Sequence, residues 1–290
     1  MSLIDFILNL AGLLLWLSWR SLRFDPLARA SAATLVGTLR RAEPQRWKGW
    51  QFLAGLLALL LARALFYWQI GSAASWTPRL DLGVVVLNLR SSFLRIDYLR
   101  TALFYSLLSQ GRMLLLFYFW ILALTVINRR SADTEPIQKL LRLHLSRLAH
   151  WPWPLQAILP FLFAAGLWLA LHPLLVRTGV LLPVNSKWHL LGQAFLVGSA
   201  LYFSLKYVLP VFLLLHLLAS YVYLGSSPLW DFVAATAGNL LAPLRGLPLR
   251  LGRWDLAPVV GTALVLLLLH WLPELFQYLL ARHNLTLWPQ

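Results

Sequence analysis

The side chains that carry most enzyme chemistry are sparse in this sequence. Its 290 residues include 10 Asp+Glu, seven His and no Cys. The lack of cysteine excludes disulfides, thiol nucleophiles, zinc fingers and iron–sulfur clusters. The sequence also lacks the HExxH zinc motif, a glycine-rich phosphate loop and a nucleophile elbow. We therefore expect a protein that is not an enzyme and that has no catalytic residues, no metal and no cofactor.

Two histidines within apolar stretches, His216 and His270, are the candidate pair for binding haem. Both rings must lie at one depth in the membrane to ligate one iron. At 1.5 Å of rise per helical residue, their depths below the same membrane surface differ by roughly 9 Å. We therefore do not expect a haem shared by these two residues.

Three basic residues lie within apolar stretches: Arg63, Arg112 and Lys206. A charge inside a membrane is expensive and is usually paired or functional. Acidic partners are few, with Asp5 and Glu274 the nearest candidates. For Arg63 we expect a side chain that extends along its helix to the outer membrane surface. Lys206 lies nearest the middle of its stretch, and either it also extends to the outer surface or it is the centre of a transport site.

The composition is that of a membrane protein. Hydrophobic residues make up 60% of the chain and charged residues 12%, whereas soluble domains are about a quarter charged. This apolar content also excludes a disordered chain. The formal charge of +15 does not indicate nucleic-acid binding here, because basic residues in such a chain collect in cytoplasmic loops.

The predicted fold is an all-α, polytopic membrane protein with six transmembrane helices in three hairpins. A membrane helix needs about 20 predominantly apolar residues, and lipid leaves an open strand edge without hydrogen-bond partners. The six candidate stretches are Leu3–Trp19, Phe52–Ile70, Thr101–Ile127, Leu155–Leu171, Leu191–Tyr223 and Ala257–Leu272.

The basic residues of the loops predict the orientation of these helices. The first, third and fifth loops contain 15 Lys+Arg, and the second and fourth loops contain 6. Because cytoplasmic loops carry the excess of Lys and Arg, both termini are expected on the outer side of a cell inner membrane.

An internal repeat organises the second and third hairpins. Thr101–Leu107 (TALFYSL) resembles Ser199–Leu205 (SALYFSL) at an offset of 98 residues, and the same offset relates Arg147 to Arg245 and Pro160 to Pro258. Helices and loops keep one orientation in both copies, which makes this a parallel repeat. The predicted domains are an N-terminal hairpin with its outer loop, a candidate degenerate repeat (1–100), a degenerate first repeat (101–190) and a second repeat (191–290).

Short helices are predicted within the odd loops. A polar residue followed by proline, as in Thr134-Glu135-Pro136 and in Ser227-Pro228, is a helix start signal. Apolar residues then recur at helical spacing in the third loop, which predicts an amphipathic interfacial helix, and these residues are Ile137, Leu140, Leu141, Leu145 and Leu148. A weaker pattern covers Pro26–Leu39. In the second loop, Leu82–Arg90 is either a strand or a packed extended segment, and periodicity does not decide between them.

A motif in the fifth loop resembles the signature of the YggT family. That signature is a proline–aliphatic–arginine step, a Leu-Pro, a glycine, and an acidic residue shortly before a proline that enters a membrane helix. The matching residues are Pro243, Arg245, Pro248, Gly252, Asp255 and Pro258. Asn239-Leu240 and Ala257 depart from the family pattern, and the first repeat keeps Arg147 and Pro160 without an acid equivalent to Asp255.

The resemblance implies a membrane protein without known catalytic activity that assists assembly or organisation of membrane complexes. From the residues, Asp255 is expected to cap the sixth helix and to pair with Arg245 or Arg253, in an otherwise irregular stretch between Pro248 and Pro258. Docking of Arg245 to a lipid headgroup or a partner is the alternative. We expect anionic lipid and a membrane-protein partner or a second copy as partners, and no nucleic acid.

The functional hypothesis is therefore a scaffold or assembly factor for a membrane protein complex. Two alternatives stay open: a small-solute or ion transporter around Lys206, with Arg112 as the other intramembrane charge, and an accessory subunit of a respiratory or photosynthetic complex.

Overall fold

The architecture is taken from a computed structural model. It describes residues 2–21, 48–73, 77–81, 86–89, 95–129, 136–145, 148, 151–181, 183–184, 186–222, 227–242, 250–251, 254–255 and 257–282. Within these ranges the helices are α1 (Ser2–Ser21), α2 (Gly49–Ala73), α3 (Arg95–Ile127), α4 (Pro136–Leu145), α5 (Trp153–Arg177), α6 (Lys187–Phe203), α7 (Leu205–Tyr221), α8 (Pro228–Leu240) and α9 (Ala257–Arg282). The strands are β1 (Arg79–Asp81), β2 (Val86–Asn88), β3 (Arg250–Leu251) and β4 (Trp254–Asp255).

The prediction of an all-α membrane protein is confirmed at the level of class. The described chain is mostly helical, and five of its helical segments are long and apolar enough to cross a membrane. These segments are Leu3–Ser21, Gly49–Gly71, Asp97–Ile127, Trp153–Arg177 and Lys187–Ser220. They coincide with the first five predicted spans. The apolar part of α9, Val259–Leu272, is shorter, and the sixth span stays a prediction.

The chain divides into two compact units. One comprises Met1–Leu80 and Asn88–Leu114, and the other comprises Asp81–Leu87 and Leu115–Gln290. The predicted domain boundaries near residues 100 and 190 were placed by the internal sequence repeat. A division into compact units does not test a sequence repeat, so these boundaries stay predictions.

In the first unit, α1 and α2 pack side by side in opposite directions. Asp5, near the start of α1, bonds to Arg63 in the later part of α2, whereas Leu15 lies beside Gly55 near the start of α2. The first part of α3 joins them, since the Ser106 hydroxyl donates a hydrogen bond of 2.9 Å to the Leu60 carbonyl. The three helices thereby bring their polar side chains to a shared interior.

In the second unit, α5 packs along α6, and α7 packs against α8 and α9. The Tyr202 hydroxyl donates to the Ala157 carbonyl, and Phe161 meets Phe195 edge to face with ring centroids 5.4 Å apart. Helices α5 and α6 are consecutive in the chain and are joined by the short connection after Arg177. They contain the fourth and fifth predicted spans, which the prediction had placed in different hairpins. The predicted grouping of the third and fourth spans into one hairpin therefore stays a prediction.

Gly198 of α6 allows α5 to approach closely. A Cβ atom at this position would lie 2.8 Å from Phe161 Cδ2 and 3.1 Å from the Phe161 carbonyl oxygen. Because backbone cannot move aside cheaply, we expect Gly198→Ala to lower the free energy of unfolding by about 1–3 kcal/mol, measured by denaturant unfolding in detergent micelles. Gly166→Ala in α5 is the control, since a Cβ there would have no neighbour within 4 Å. An equal loss of stability in both variants would contradict this reason.

The loop helices follow their start signals. Helix α4 begins at Pro136 and α8 begins at Pro228, with Ser227 as its N-cap residue. On α4, Gln138 is completely buried and Leu140 is 54% exposed. The interfacial position of this helix, in which Leu140 would contact lipid, stays a prediction. Leu141, Leu145 and Leu148 do pack, against Ile121 and Leu122 of α3.

Two further loop predictions are decided by the strands. Strand β2 lies within the ambiguous stretch of the second loop and pairs with β1, which favours the strand alternative. The expectation of an irregular chain between Pro248 and Pro258 is wrong, because β3 and β4 pair there in antiparallel register. The predicted helix at Pro26–Leu39 lies outside the described residues.

Candidate functional site

The motif of the fifth loop is only partly described. Pro243, Arg245, Pro248 and Gly252, and Arg147 of the first repeat, lie outside the described residues. Asp255 lies in β4 and is the register partner of Arg250 in β3. Its predicted pairing with Arg245 or Arg253 stays a prediction.

The two prolines related by the repeat occupy different helical positions. Pro258 lies in the first turn of α9, where a missing N–H costs no helical hydrogen bond. Pro160 lies within α5, where its missing N–H leaves the carbonyl of Gln156 without its usual donor. The two prolines match in the sequence repeat, but they do not have the same structural role: Pro258 starts a helix and Pro160 interrupts one.

A polar cluster surrounds Arg63 in the first unit, and of its members the sequence analysis had named only Asp5 as a candidate partner. The Arg63 side chain is 0% exposed, so the expectation that it extends to the outer membrane surface is wrong. Its Nη2 donates to Asp5 Oδ1 at 2.5 Å and to Ser109 Oγ at 2.9 Å. Its Nη1 donates to Asn9 Oδ1 at 2.8 Å. The guanidinium is thus held by α1 and α3 at once.

Two tyrosines complete the coordination of the Asp5 carboxylate. The Tyr67 hydroxyl donates to Oδ1 at 2.6 Å, and the Tyr105 hydroxyl donates to Oδ2 at 2.9 Å. The Arg63 guanidinium carbon lies 5.9 Å from the Tyr67 ring centroid and 5.3 Å from that of Tyr105, within the range of a cation–π contact. We call this group the Arg63 cluster, and its members are Asp5, Asn9, Arg63, Tyr67, Tyr105 and Ser109.

The spacing of these residues explains how three helices form one cluster. Asp5 and Asn9 are four residues apart on α1, as are Arg63 and Tyr67 on α2, and Tyr105 and Ser109 on α3. Residues four apart share one helix face. The sequence signal is therefore a pair of polar residues at this spacing in each of three apolar helices. That signal identifies Asn9, Tyr67, Tyr105 and Ser109, which reasoning about single charges missed.

The chemistry of the Arg63 cluster is that of a buried ion pair, in which only the Nε of Arg63 has no hydrogen-bond partner among the described residues. Both carboxylate oxygens of Asp5 accept hydrogen bonds, and both terminal nitrogens of Arg63 donate them. The Ser109 hydroxyl already lies between Arg63 and Asn9, so no free base is positioned to activate it as a nucleophile. Among the described residues, no group of three His, Asp or Glu side chains is placed to bind a metal ion. The geometry supports a clamp between helices better than a catalytic centre.

Next to the cluster, α1 and α3 approach each other through Gly12. A Cβ atom there would lie 2.5 Å from Oε1 of Gln110, so this glycine makes room for the glutamine side chain. The Gln110 amide is buried, and neither of its polar atoms has a hydrogen-bond partner within the described ranges. Gln110 therefore contributes packing to this interface, whereas the hydrogen bonds come from the Arg63 cluster.

A second polar group lies in the second unit, around Asn128 after the end of α3. Asn128 is 1% exposed. Its Nδ2 donates to Thr236 Oγ1 at 2.7 Å, and its Oδ1 accepts from Asn239 Nδ2 at 2.9 Å. Its carbonyl oxygen accepts from Gln138 Nε2 at 2.6 Å. This Asn128 network, comprising Asn128, Gln138, Thr236 and Asn239, links the end of α3 to both loop helices, α4 and α8.

Helices α6 and α7 meet at Ser204, whose backbone keeps helical angles (φ −66°, ψ −17°), so the two helices form one span, Lys187–Ser220. Pro210 in α7 lacks an N–H, so the Lys206 carbonyl loses its usual helical donor. The Ser204 hydroxyl donates to the Leu201 carbonyl at 2.5 Å and accepts from Trp120 Nε1 at 2.9 Å. A tryptophan of α3 thus contacts the junction of α6 and α7.

The other two predicted intramembrane charges, Lys206 and Arg112, are not members of the Arg63 cluster or the Asn128 network. Lys206 is partly buried, with its ammonium nitrogen 5.2 Å from the Tyr207 ring centroid. Arg112 is a partly buried residue of α3. Neither takes part in the hydrogen bonds given above for the Arg63 cluster.

No protein-family model, curated protein or solved structure matches this chain. Membership of the YggT family therefore stays a prediction that rests on the motif of the fifth loop.

Proposed function

We propose that this chain is a non-catalytic membrane protein that serves as a scaffold or assembly factor for a membrane protein complex. The observation that carries the proposal is the buried ion pair of the Arg63 cluster. Its charges compensate each other between α1, α2 and α3, so they hold the helices together and leave no free charged group for a substrate. Such an arrangement suits a rigid helical support better than a reaction centre.

The outward faces of the spanning helices support the same proposal. They present large apolar side chains that are exposed in the monomer, among them Leu57 and Leu61 of α2 and Leu162 and Phe163 of α5. In a bilayer these faces contact lipid or the helices of a partner. A membrane-protein partner or a second copy of the chain fits such a surface.

The proposed topology has six spans in three hairpins, with both termini on the outer side of a cell inner membrane. It rests on the excess of Lys and Arg in the odd loops and on the apolar part of α9. In this topology α4, α8 and the β3–β4 hairpin lie on the cytoplasmic side.

The proposed docking element is the YggT-like motif, with the chain as a member of that family. Within this loop, β3 and β4 form an antiparallel backbone pair shortly before α9. We infer that Arg245 and Asp255 are the residues of this motif that contact a partner.

The test is co-purification in mild detergent followed by mass spectrometry. We expect a reproducible membrane-protein partner, and we expect Arg245→Gln and Asp255→Asn to lower its recovery by about fivefold or more, as loss of a central interface residue does. The matched control is Arg177→Gln, at the end of α5, which lies on the opposite side of the membrane from the motif in the proposed topology. If either motif variant fails to insert or fold before partner recovery falls, the motif is structural and the docking proposal is rejected.

A transporter around Lys206 is the second candidate, favoured by the partly buried position of this charge within the span Lys187–Ser220. A charge within a membrane span is usually paired or functional. Solute flux into vesicles containing the purified protein alone, abolished by Lys206→Met, would support the transporter and reject the scaffold. An accessory subunit would instead co-purify in fixed stoichiometry with one complex.

A further inference from the structure

Arg129 and Trp153 form an exposed pair where two spanning helices end. The Arg129 guanidinium carbon lies 4.8 Å from the Trp153 ring centroid. The span in α3 ends at Ile127, and the span in α5 begins at Trp153. Trp153 is 54% exposed, and Arg129 is also exposed. The pair therefore lies at one membrane surface, at the depth of the lipid headgroups.

The contact with Trp153 leaves the hydrogen-bond donors of Arg129 available. The ring face attracts the guanidinium charge, whereas the five N–H donors of the guanidinium lie in its plane. No ion pair or side-chain hydrogen bond occupies this guanidinium among the described residues. A planar fork of N–H donors matches two oxygens of a phosphate group. The tryptophan lies where indole rings prefer to lie in a bilayer.

The surrounding charge favours a lipid with net negative charge. Between residues 129 and 147 there are five basic side chains, Arg129, Arg130, Lys139, Arg142 and Arg147, against Asp133 and Glu135. Lys139 is exposed on α4. A zwitterionic headgroup would bring its own ammonium into this positive field, whereas an anionic phospholipid would not.

The backbone that carries Arg129 is held firmly. Asn128, its neighbour, is buried and bonded to α4 and α8 through the Asn128 network. The Arg129 amide also donates to the Val126 carbonyl at 3.4 Å. A fixed backbone reduces the entropy lost when the side chain binds a ligand.

We propose that Arg129 and Trp153 form a binding site for the phosphate group of an anionic phospholipid. Under the topology proposed above, this site faces the cytoplasmic leaflet, but the assignment of the ligand does not depend on the orientation.

The experiment is a lipid titration of the full-length protein in detergent, read by native mass spectrometry. Phosphatidylglycerol and phosphatidylcholine with the same acyl chains serve as probes. We expect wild type to retain phosphatidylglycerol preferentially and Arg129→Gln to bind it about fivefold more weakly, which corresponds to roughly 1 kcal/mol per basic residue near a membrane surface. Arg177→Gln, an exposed arginine at the other end of α5, is the matched control and should bind as wild type does.

Two further variants keep the proposal falsifiable. Arg129→Lys preserves the charge but removes the planar fork, and Trp153→Leu removes the ring, so each should weaken binding at least twofold. If Arg129→Gln lowers the unfolding temperature, Arg129→Lys alone decides the question. If Arg129→Lys binds phosphatidylglycerol as tightly as wild type does, the proposed role of the planar guanidinium is rejected. Equal retention of the two lipids by wild type rejects the choice of an anionic headgroup. Competition by free inorganic phosphate at equal concentration would reject a lipid site.

Discussion

Asp5→Asn is expected to lower the free energy of unfolding by about 3 kcal/mol or more. The change keeps the shape of the side chain but removes the negative charge that faces Arg63 at 2.5 Å. Arg63 would then be a buried charge without a counter-ion, and removing one partner of a buried ion pair typically costs about 3–5 kcal/mol. Denaturant unfolding of the purified protein in detergent micelles measures the loss.

Two matched variants separate the charge from the hydrogen bonds. Tyr105→Phe removes a single donor to Asp5 and should cost about 1 kcal/mol. The double variant Asp5→Leu with Arg63→Met removes both charges, and it should recover at least half of the loss seen in Asp5→Leu alone, because apolar replacements of a buried pair are often nearly neutral. A cost below about 1 kcal/mol for Asp5→Asn would show that the Arg63 cluster is not a clamp.

Asn128→Ala is expected to loosen both loop helices at once, at a cost of about 2–3 kcal/mol. The variant removes the amide that bonds Thr236 and Asn239 of α8, and one buried and one partly buried hydrogen bond are lost with it. Losing such bonds costs about 1–3 kcal/mol when buried partners are left behind. Hydrogen exchange measured by mass spectrometry should therefore become faster in α8 and, through the loosened carbonyl contact with Gln138, in α4.

The control for this prediction is Lys139→Gln. It changes the residue next to Gln138 on α4, but its side chain is exposed and lies outside the Asn128 network. Exchange in α4 and α8 should stay at the wild-type rate in this control. Unchanged exchange in Asn128→Ala would mean that packing, and not the Asn128 network, anchors the loop helices.

The membrane class and the local start of several helices were predictable from the sequence. Apolar stretches of about 20 residues have few folded alternatives, and the structure contains five of them at the predicted positions. The prolines Pro136 and Pro228 begin α4 and α8 because proline is readily accepted in the first helical turn. These features depend on residues close together in the chain.

Pairing between helices was decided by the tertiary structure. The prediction for Arg63 was wrong because it considered the helix by itself. In an isolated membrane helix, a charged side chain can reach polar groups only at the membrane surface. Packing of the helices brings Asp5 of α1 to Arg63 and Tyr105 of α3 to Asp5. Helix rotation and register determine which faces meet, and neither is encoded within a single apolar stretch.

The same reason applies to smaller features that the sequence did not reveal. Gln138 of α4 is buried, since the Asn128 carbonyl offers a partner that hydrophobic periodicity does not reveal. The Ser204 hydroxyl, where α6 meets α7, accepts from Trp120, which lies 84 residues earlier in the chain. Composition and short-range pattern thus determined that this chain crosses a membrane and where its main helices lie. The tertiary structure alone decided which buried polar groups satisfy one another, because hydrogen bonds within the membrane form between distant residues that only packing brings into contact.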